Sequence, residues 1–248
     1  MKIGSKRVDI SSMPIKLKPR LAGVASLVPA KSVVADIGTD HAYLPLYLVK
    51  KKACSRVIAV EKSSLNSKTA RETVHFFNLE QKVEVRTGDG LQALNKNDGV
   101  EVVVIAGLGG KTICSLLQAA VHQLGQYRRF VLQPMGDAAL VRRWLAAQGY
   151  YFPQERLALE NGYFYEIIAA EKGWLDVKEP FVWELGPTLY KGHDPLFIPW
   201  LEYKIQRYEK ILQGLLRSRR GKKDPRWRYY HMQYATLKGV LRDVCHGD

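Results

Sequence analysis

Short runs rich in β-branched residues alternate with amphipathic, helix-length stretches over the first 150 residues of this chain. Strands that are separated by helices cannot pair as simple hairpins, so the alternation predicts parallel strands whose crossover helices cover both faces of a sheet. The expected fold class is therefore α/β, with a doubly wound sheet. The predicted strands cover residues 32–38, 56–61, 83–89, 100–107 and 128–134, and the predicted helices cover residues 42–52, 63–78, 110–124 and 138–149.

The pattern changes after the fifth predicted strand. Residues 152–172, FPQERLALENGYFYEIIAAEK, contain two strand-like runs on either side of Glu-Asn-Gly, with no room for a helix between them. This is a hairpin signal, so we expect a terminal antiparallel strand. A parallel sheet that ends in an antiparallel hairpin is typical of class I (Rossmann-like) methyltransferases, and its last strand distinguishes it from a dinucleotide-binding dehydrogenase.

Two stretches near the carboxyl terminus predict a pair of long helices. Apolar residues recur there every three or four positions, and a loop with Gly and Pro joins the stretches, which favours an antiparallel, coiled-coil-like helical hairpin. The predicted seam consists of Phe197, Leu201, Ile205, Tyr208, Leu212 and Leu215 and of Trp227, Tyr230, Tyr234, Leu237, Leu241 and Val244. The aromatic residues could instead stack on nucleic-acid bases, but helical spacing favours packing between the helices.

The chain is basic at both ends. Lys and Arg number 38 against 24 acidic residues, and the formal net charge is +14. The excess is +8 in residues 1–60 and +7 in residues 196–248, whereas residues 61–195 are close to neutral. Basic ends favour a polyanionic partner such as nucleic acid, although a high pI can also serve solubility alone. The candidate phosphate-binding residues lie in the loop of the helical hairpin: Arg217, Arg219, Arg220, Lys222, Lys223, Arg226 and Arg228.

Composition limits the class of protein. A hydrophobic content of 46% is that of a globular chain, and we find neither a bilayer-spanning stretch nor a signal-peptide core. The three cysteines form neither a disulfide framework nor a metal pattern, so we expect a cytoplasmic protein. The expected parts are a basic amino-terminal extension (1–14), a methyltransferase-type domain (15–172), a linker (173–194) and the helical hairpin with its basic loop (195–248).

The end of the first predicted strand carries the most unusual residues. Ligands of doubly wound sheets bind at the carboxyl ends of the strands, and here that end reads DIGTDH, residues 36–41. It lacks the Gly-x-Gly-x-x-Gly pattern that cradles a pyrophosphate. An acidic residue such as Asp36 before the glycine turn at Gly38 instead suits a ligand with an ammonium group, because glycine permits close approach to the backbone. S-adenosylmethionine has such a group.

The next three strand ends extend this pattern. Glu61 could accept the ribose hydroxyls of the same ligand, and Asp89, before Gly90, could accept an adenine amino group. The fourth strand ends in IAGLGG (105–110), a glycine-rich loop that opens a helix where a transferred methyl group would lie. Acidic residues after strands also cap helices, but capping alone does not select carboxylates at three strand ends and glycines at the fourth.

The segments ADIGTDHAYLP, AVE, GDGL, IAGLGG, QP and NGYFYEI together resemble the bacterial tRNA (adenine-22 N1)-methyltransferase family. The resemblance covers residues 17–172 in motifs, and the family layout, a class I domain followed by a helical hairpin, continues to the carboxyl terminus. It implies a pocket for S-adenosylmethionine lined by Asp36, Gly38, Glu61, Asp89 and Gly90, with Gly107 at its methyl end. It also implies that Asp40, His41, Gly109 and Gly110 lie near the methyl group or the target base.

Two features depart from the family pattern. The family has Gln-Pro-Asn after the fifth strand, whereas this chain has Gln-Pro-Met at residues 133–135, so any role of that asparagine is missing. The first 14 residues extend beyond the usual start of the family and add Lys2, Lys6 and Arg7.

The reaction that the resemblance implies moves a methyl group from S-adenosylmethionine to N1 of adenine 22, in the D-loop region of tRNA. Because N1 has a lone pair, positioning and negative charge beside the developing cation should matter more than a strong base. We assign that charge to the catalytic Asp40, with His41 as an orienting partner or only a capping residue. The base should flip out, and Tyr43, Tyr163 and Tyr165 either form the wall that receives it or pack in the fold. The predicted substrate-binding residues are Tyr43, Gly109, Gly110, Arg219, Arg220, Lys222 and Lys223.

Other functions stay open at this point. A dehydrogenase would need a phosphate-cradling loop, and Asp40 stands where the pyrophosphate would lie. A methyltransferase for another RNA base or for a small molecule would share the cofactor site, although a small acceptor would not require the charge of +14. A non-catalytic RNA-binding protein would not need Glu61 and Asp89. The histidines lack metal-ligand spacing, so we expect no metal. We also expect the protein to be a monomer that binds tRNA and has no membrane partner.

Overall fold

The computed structural model divides the chain into two compact units, Met1–Asp176 and Val177–Asp248. It describes residues 14–177, 179, 181–192, 194–218 and 220–246. The predicted amino-terminal extension, with Lys2, Lys6 and Arg7, therefore lies outside the described residues except for Pro14.

A seven-stranded sheet forms the centre of the first unit. Its strands are β1 (Val33–Ile37), β2 (Arg56–Glu61), β3 (Val83–Thr87), β4 (Val102–Leu108), β5 (Arg129–Pro134), β6 (Tyr150–Glu160) and β7 (Tyr163–Lys172). They lie in the order β3-β2-β1-β4-β5-β7-β6, with β1 to β5 parallel and β7 antiparallel to both of its neighbours. The predicted α/β class and the terminal antiparallel strand are thus confirmed.

Five helices pack around this sheet. They are α1 (Pro19–Leu27), α2 (Tyr43–Lys51), α3 (Ser64–Phe76), α4 (Gly110–Ala119) and α5 (Ala138–Ala147). Sequence reasoning missed α1, which has only nine residues and begins at a proline. This helix lies so close to the sheet that a Cβ atom at Gly23 would stand 2.4 Å from the Ile167 side chain. The predicted helix 110–124 is shorter than expected, because a 3₁₀ turn replaces it from Val121.

The hairpin of β6 and β7 has the predicted tight turn. Asn161 and Gly162 both have positive φ, at 52° and 78°, as a type I′ turn requires, and Asn-Gly is the pair that best tolerates this conformation. In the antiparallel register Leu132 of β5 pairs with Ile168 of β7. The first residues of β7 therefore extend past the carboxyl end of β5, toward the edge where ligands of such sheets bind.

The second unit contains two long helices. The short helices α6 (Val182–Leu185) and α7 (Pro187–Lys191), within the segment predicted as a linker, precede α8 (Phe197–Arg217) and α9 (Pro225–His246). The rings of Tyr208 in α8 and Tyr230 in α9 lie 5.6 Å apart, so these members of the predicted seam do meet. Val244, also assigned to the seam, is 39% exposed because it lies in the last turn of α9. In the described part of the chain, no helix is both long and apolar enough to cross a membrane.

Candidate active site

The turn between β1 and α2 adopts an unusual backbone. Gly38, Asp40 and Ala42 all have positive φ, at 78°, 51° and 59°, and this left-handed conformation costs a non-glycine residue about 1–2 kcal/mol. Backbone hydrogen bonds support it, because the N–H groups of Gly38 and Thr39 donate to the carbonyl oxygen of Val60 in β2, at 2.8 and 3.2 Å. Strain that the surrounding structure maintains in this way is typical of functional turns.

Asp36 ends β1 in a buried position, with 4% of its surface exposed. Burial raises the pKa of its carboxyl group to about 6, while the nearby Thr39 hydroxyl opposes the rise and the Glu61 carboxylate adds to it. A buried carboxylate with a raised pKa is stabilised when a cationic group binds next to it. Asp36 therefore has the chemistry expected for binding an ammonium group.

A cavity of about 320 Å³ opens at the carboxyl ends of β1 and β4. Six of the predicted site residues line it: Asp36, Gly38, Asp40, His41, Tyr43 and Gly107. Thr39 also lines it, and its buried Oγ1 atom forms no hydrogen bond of standard geometry with the described residues. The same hydroxyl interacts with the Asp36 carboxyl group and lowers its pKa, so the two side chains form one polar part of the cavity wall. A carboxylate, a hydroxyl and glycine walls fit the amino-acid end of S-adenosylmethionine.

Glu61 lies at the end of β2, next to this cavity. Its Oε1 atom accepts a hydrogen bond from the Ser63 N–H at 2.9 Å, and its Oε2 atom accepts one from the Asp40 N–H at 3.3 Å. The second bond ties Glu61 to the left-handed Asp40. Because a carboxylate has about four acceptor sites, Glu61 retains the capacity to accept further hydroxyl groups.

Asp89 and Gly90 lie at the end of β3, outside the residues that line the cavity. The Asp89 carboxylate is exposed and accepts a charged hydrogen bond from Lys62 Nζ at 2.8 Å. Gly90 has a φ of 58°, and a Cβ atom there would stand 2.7 Å from Leu116 Cδ2. The Gly88 N–H donates to the Glu61 carbonyl oxygen, so the two predicted acidic positions lie on neighbouring strand ends as expected.

Asp40, His41 and Tyr43 lie together at the mouth of the cavity. The side chains of Asp40 and His41 are 65% and 55% exposed, with His41 Nε2 at 3.6 Å from Asp40 Oδ2. The rings of His41 and Tyr43 are 6.2 Å apart and tilted. The structure thus brings the predicted catalytic pair and one predicted aromatic wall residue to one solvent-facing rim.

The glycines at the end of β4 and the start of α4 differ in backbone conformation and in the space that a side chain would have. Gly107 has a φ of 81° and lines the cavity. A Cβ atom at Gly110 would meet the carbonyl oxygens of Gly136 and Asp137 at 2.7 and 2.8 Å, whereas one at Gly109 would meet nothing closer than 3.8 Å. The packing of α4 against the segment after β5 therefore explains Gly110, and Gly109 lies in more open space.

The sequence did not indicate that Arg20 and Gln133 form a pair at the site. Arg20 of α1 lines the cavity, and its Nη1 atom donates to Gln133 Oε1 at 2.6 Å. Gln133 is fully buried, and the same oxygen also accepts the Gly107 N–H at 3.0 Å. Arg20 comes from the helix that was not predicted, so no strand-end pattern could indicate it. The Gln-Pro segment was noticed only as part of a family motif.

Part of the surface beside Arg20 is aromatic. The Arg20 guanidinium lies 5.8 Å from the centre of the Tyr165 ring, and the next outward residue on that face of β7, Tyr163, is 60% exposed. Met135, which replaces the family asparagine, is 54% exposed, and its sulfur lies 3.8 Å from Gln133 Nε2. An apolar, weakly accepting side chain thus occupies the position of an amide.

The loop between α8 and α9 presents exposed cations. Arg217, Arg220, Lys222 and Lys223 are exposed, and Arg219 lies outside the described residues. Arg226 is instead engaged by Asp224, through Nε and Nη2 at 3.0 and 2.9 Å. Within the described residues, no three His, Cys, Asp or Glu side chains form a group that could hold a metal ion.

The chain is similar to several known proteins. A family model described as a methyltransferase domain matches residues 17–168. The chain is similar to the tRNA (adenine(22)-N(1))-methyltransferase of Bacillus subtilis, with 33% identity over 206 residues, or 81% of this chain and 86% of that protein. It is similar to a Streptococcus pneumoniae structure in complex with S-adenosyl-L-methionine (TM-score 0.81, 30% identity, 91% of this chain and 100% of that chain). It is also similar to M. capricolum TrmK in complex with S-adenosyl-homocysteine (TM-score 0.78, 25% identity, 91% and 98%).

Proposed function

The chain belongs to the methyltransferase family, in the group of tRNA (adenine-22 N1)-methyltransferases, and we propose that it methylates N1 of adenine 22 in the D-loop region of tRNA. The observation that carries this proposal is the cavity at the carboxyl ends of β1 and β4, which combines the buried Asp36 carboxylate with the glycine walls at Gly38 and Gly107. S-adenosylmethionine is the methyl donor in this proposal, and the residues present fit it.

We assign each part of the cofactor to residues of this chain. Asp36 and Gly38 take its amino-acid end, Glu61 takes the ribose, and Asp89 takes the adenine amino group after releasing Lys62. Charged hydrogen bonds of this kind are stronger than neutral ones, and a glycine wall permits close backbone approach.

When bound, S-adenosylmethionine supplies an electrophilic methyl group that the lone pair of adenine N1 takes in line, while the sulfur keeps the bonding electrons. Asp40 faces the mouth of the cavity with an exposed carboxylate, so it can place negative charge beside the ring that becomes cationic. Tyr43 and Tyr163 offer exposed rings on which a flipped adenine can stack. His41 lies close enough to Asp40 to orient its carboxylate.

The exposed cations Arg220, Lys222 and Lys223 support a role for the helical hairpin in binding tRNA phosphates. We propose that the protein acts as a monomer in the cytoplasm, where its tRNA substrate is found. Sedimentation of the purified protein with and without tRNA tests the monomer.

The function is tested with unmodified tRNA transcripts that carry adenine or guanine at position 22. We expect 1-methyladenosine in digests of the first transcript only. Reverse transcription should stop at position 22, because a methyl group on N1 blocks Watson–Crick pairing. A different methylated nucleoside, or methylation that persists with guanine at position 22, would contradict the assigned target while retaining the reaction class. Cofactor binding without any RNA methylation would favour a small-molecule acceptor.

A further inference from the structure

The amino-acid end of S-adenosylmethionine carries an ammonium group and a carboxylate group on the same carbon atom. Asp36 accounts for the ammonium group, and the carboxylate, a few ångströms away from it in any conformation, also needs a partner. A carboxylate taken out of water without a partner would oppose binding. The wall of the cavity should therefore hold a cation close to Asp36.

Among the described residues that line this cavity, Arg20 is the one Lys or Arg. The charge of a guanidinium does not titrate at physiological pH, and its planar fork matches a carboxylate in two parallel hydrogen bonds. In the described part of the chain, only Nη1 of the Arg20 side chain donates a hydrogen bond, to Gln133. Its Nε and Nη2 groups keep their donors for a ligand.

The position of the Arg20 guanidinium is fixed by its neighbours. Gln133 Oε1 accepts from both Arg20 Nη1 and the Gly107 N–H, so one buried amide joins α1 to the end of β4. A Cβ atom at Gly107 would stand 3.4 Å from Arg20 Nη1. The backbone N–H of Arg20 donates to Glu160 Oε2 at 3.0 Å, which also fixes the main chain of this residue. A preorganised cation loses little freedom when its ligand binds.

We propose that Arg20 binds the carboxylate of the amino-acid end of S-adenosylmethionine, while Asp36 binds its ammonium group. This assignment rests on the proposed function, since it requires that cofactor. A tRNA phosphate is the other anion that Arg20 could bind. The cavity favours the carboxylate, because Arg20 shares its wall with Asp36, Thr39 and Gly107.

The test measures binding of S-adenosylhomocysteine and of its decarboxylated analogue by calorimetry, to the wild-type protein and to Arg20→Met. Met keeps most of the apolar stem and removes the charge. Charged hydrogen bonds of this strength predict that Arg20→Met weakens S-adenosylhomocysteine binding by about ten- to a hundredfold. The decarboxylated analogue should change by less than about threefold, because it lacks the group that Arg20 binds. Arg20→Lys should retain part of the affinity, since it keeps the charge but not the fork.

Lys18→Gln serves as the matched control, because Lys18 is an exposed cation two residues away and does not line the cavity. It should leave both affinities unchanged, and thermal unfolding of each variant verifies folding. Equal weakening of the two ligands by Arg20→Met would overturn the assignment. So would unchanged S-adenosylhomocysteine affinity combined with a raised KM for tRNA, which would place Arg20 on the acceptor. If the wild-type protein bound neither ligand, the proposed function itself would fail.

Discussion

Asp36 near the end of β1 and Asp40 in the turn that follows are both carboxylates, but their surroundings differ. Asp36 is buried and has a raised pKa, whereas Asp40 is exposed and lies in a left-handed conformation. Position after a strand was enough to predict both from the sequence. The burial that separates their chemistry depends on tertiary packing, such as the pairing of Asp36 with Val104 of β4, and no local pattern encodes that packing. Arg20 could not be predicted for the same reason, since only the packing of α1 brings it to the cavity.

The raised pKa of Asp36 predicts that cofactor binding depends on pH. Only the ionised carboxylate attracts an ammonium group, so the affinity for S-adenosylhomocysteine should fall about tenfold per pH unit below a pH of about 6. Asp36→Asn should bind S-adenosylhomocysteine weakly, and its affinity should not change with pH over the same range. Calorimetry at several pH values measures this, and an equally steep profile in Asp36→Asn would assign the titration to another group.

The same pKa predicts the stability of the unliganded protein. Because the folded state raises the pKa from 3.8 to about 6, folding favours the protonated form. The contribution of Asp36 to the free energy of unfolding is therefore complete below the ordinary pKa of 3.8 and is lost as the pH rises through about 6. Asp36→Asn should be more stable than the wild type near pH 8, by up to about 3 kcal/mol. Urea unfolding measures the difference, which should disappear at the acidic end of the range; a less stable variant at pH 8 would contradict the prediction.

Asp40→Asn tests the catalytic carboxylate without disturbing the turn. Asn tolerates the left-handed backbone about as well as Asp, so the change removes the charge alone. We expect kcat to fall by about a hundredfold or more, with unchanged affinity for S-adenosylhomocysteine. Asp137 is a matched control, because it is exposed and also has a positive φ, at 57°. Asp137→Asn should retain full activity, and equal activities of the two variants would argue against a role for the Asp40 charge.

At the scale of elements, the sequence was most informative where periodicity was long and turn chemistry was specific. The five parallel strands and the Asn161–Gly162 hairpin were predicted within a few residues of their observed bounds. Helix α1 was missed because its apolar face is short and its stability comes from packing against distant strands. Element ends were the least predictable, as the early end of α4 illustrates, since tertiary packing decides how far a marginal helix extends.

The start of α4 offers a test of the packing at its glycines. Gly110→Ala would push a methyl group against two backbone oxygens, those of Gly136 and Asp137, and backbone cannot move aside cheaply. We expect a loss of about 1–3 kcal/mol of unfolding free energy. Gly109→Ala has open space and a φ of −64°, so its stability should stay within about 0.5 kcal/mol of the wild type. Urea unfolding compares them, and equal stabilities would contradict this account.

At the scale of the whole molecule, charge and chemistry occupy different parts of the chain. The residues that line the cavity belong to the first unit, whereas the cluster of exposed cations at Arg220, Lys222 and Lys223 belongs to the second. The charge distribution of the sequence indicated only the basic carboxyl-terminal part, with an excess of +7 in residues 196–248, because much of the cavity comes from the equally basic residues 1–60. Charge is a bulk property that survives in any fold, which is why it could be interpreted before the structure was known.

Removing three of the loop cations should weaken tRNA binding and leave the cofactor site intact. We expect the Arg220→Gln, Lys222→Gln and Lys223→Gln triple variant to raise KM for tRNA. The slope of its salt dependence should become shallower by about 0.7–0.9 for each phosphate that the variant no longer neutralises. The control variant carries Lys68→Gln, Lys82→Gln and Lys96→Gln, which removes the same charge from exposed residues of the neutral middle. Equal effects of both variants would mean that net charge, rather than the hairpin loop, attracts the RNA.

The place of β7 in the sheet has a consequence for how the protein is made. This strand is the last of the seven in the chain, but it lies between β5 and β6. Until residue 172 has been synthesised, β5 exposes an unpaired edge, and such edges pair readily with other chains. A nascent chain can therefore form its parallel strands but cannot close its sheet early, so a ribosome that stalls before β7 would release an aggregation-prone fragment.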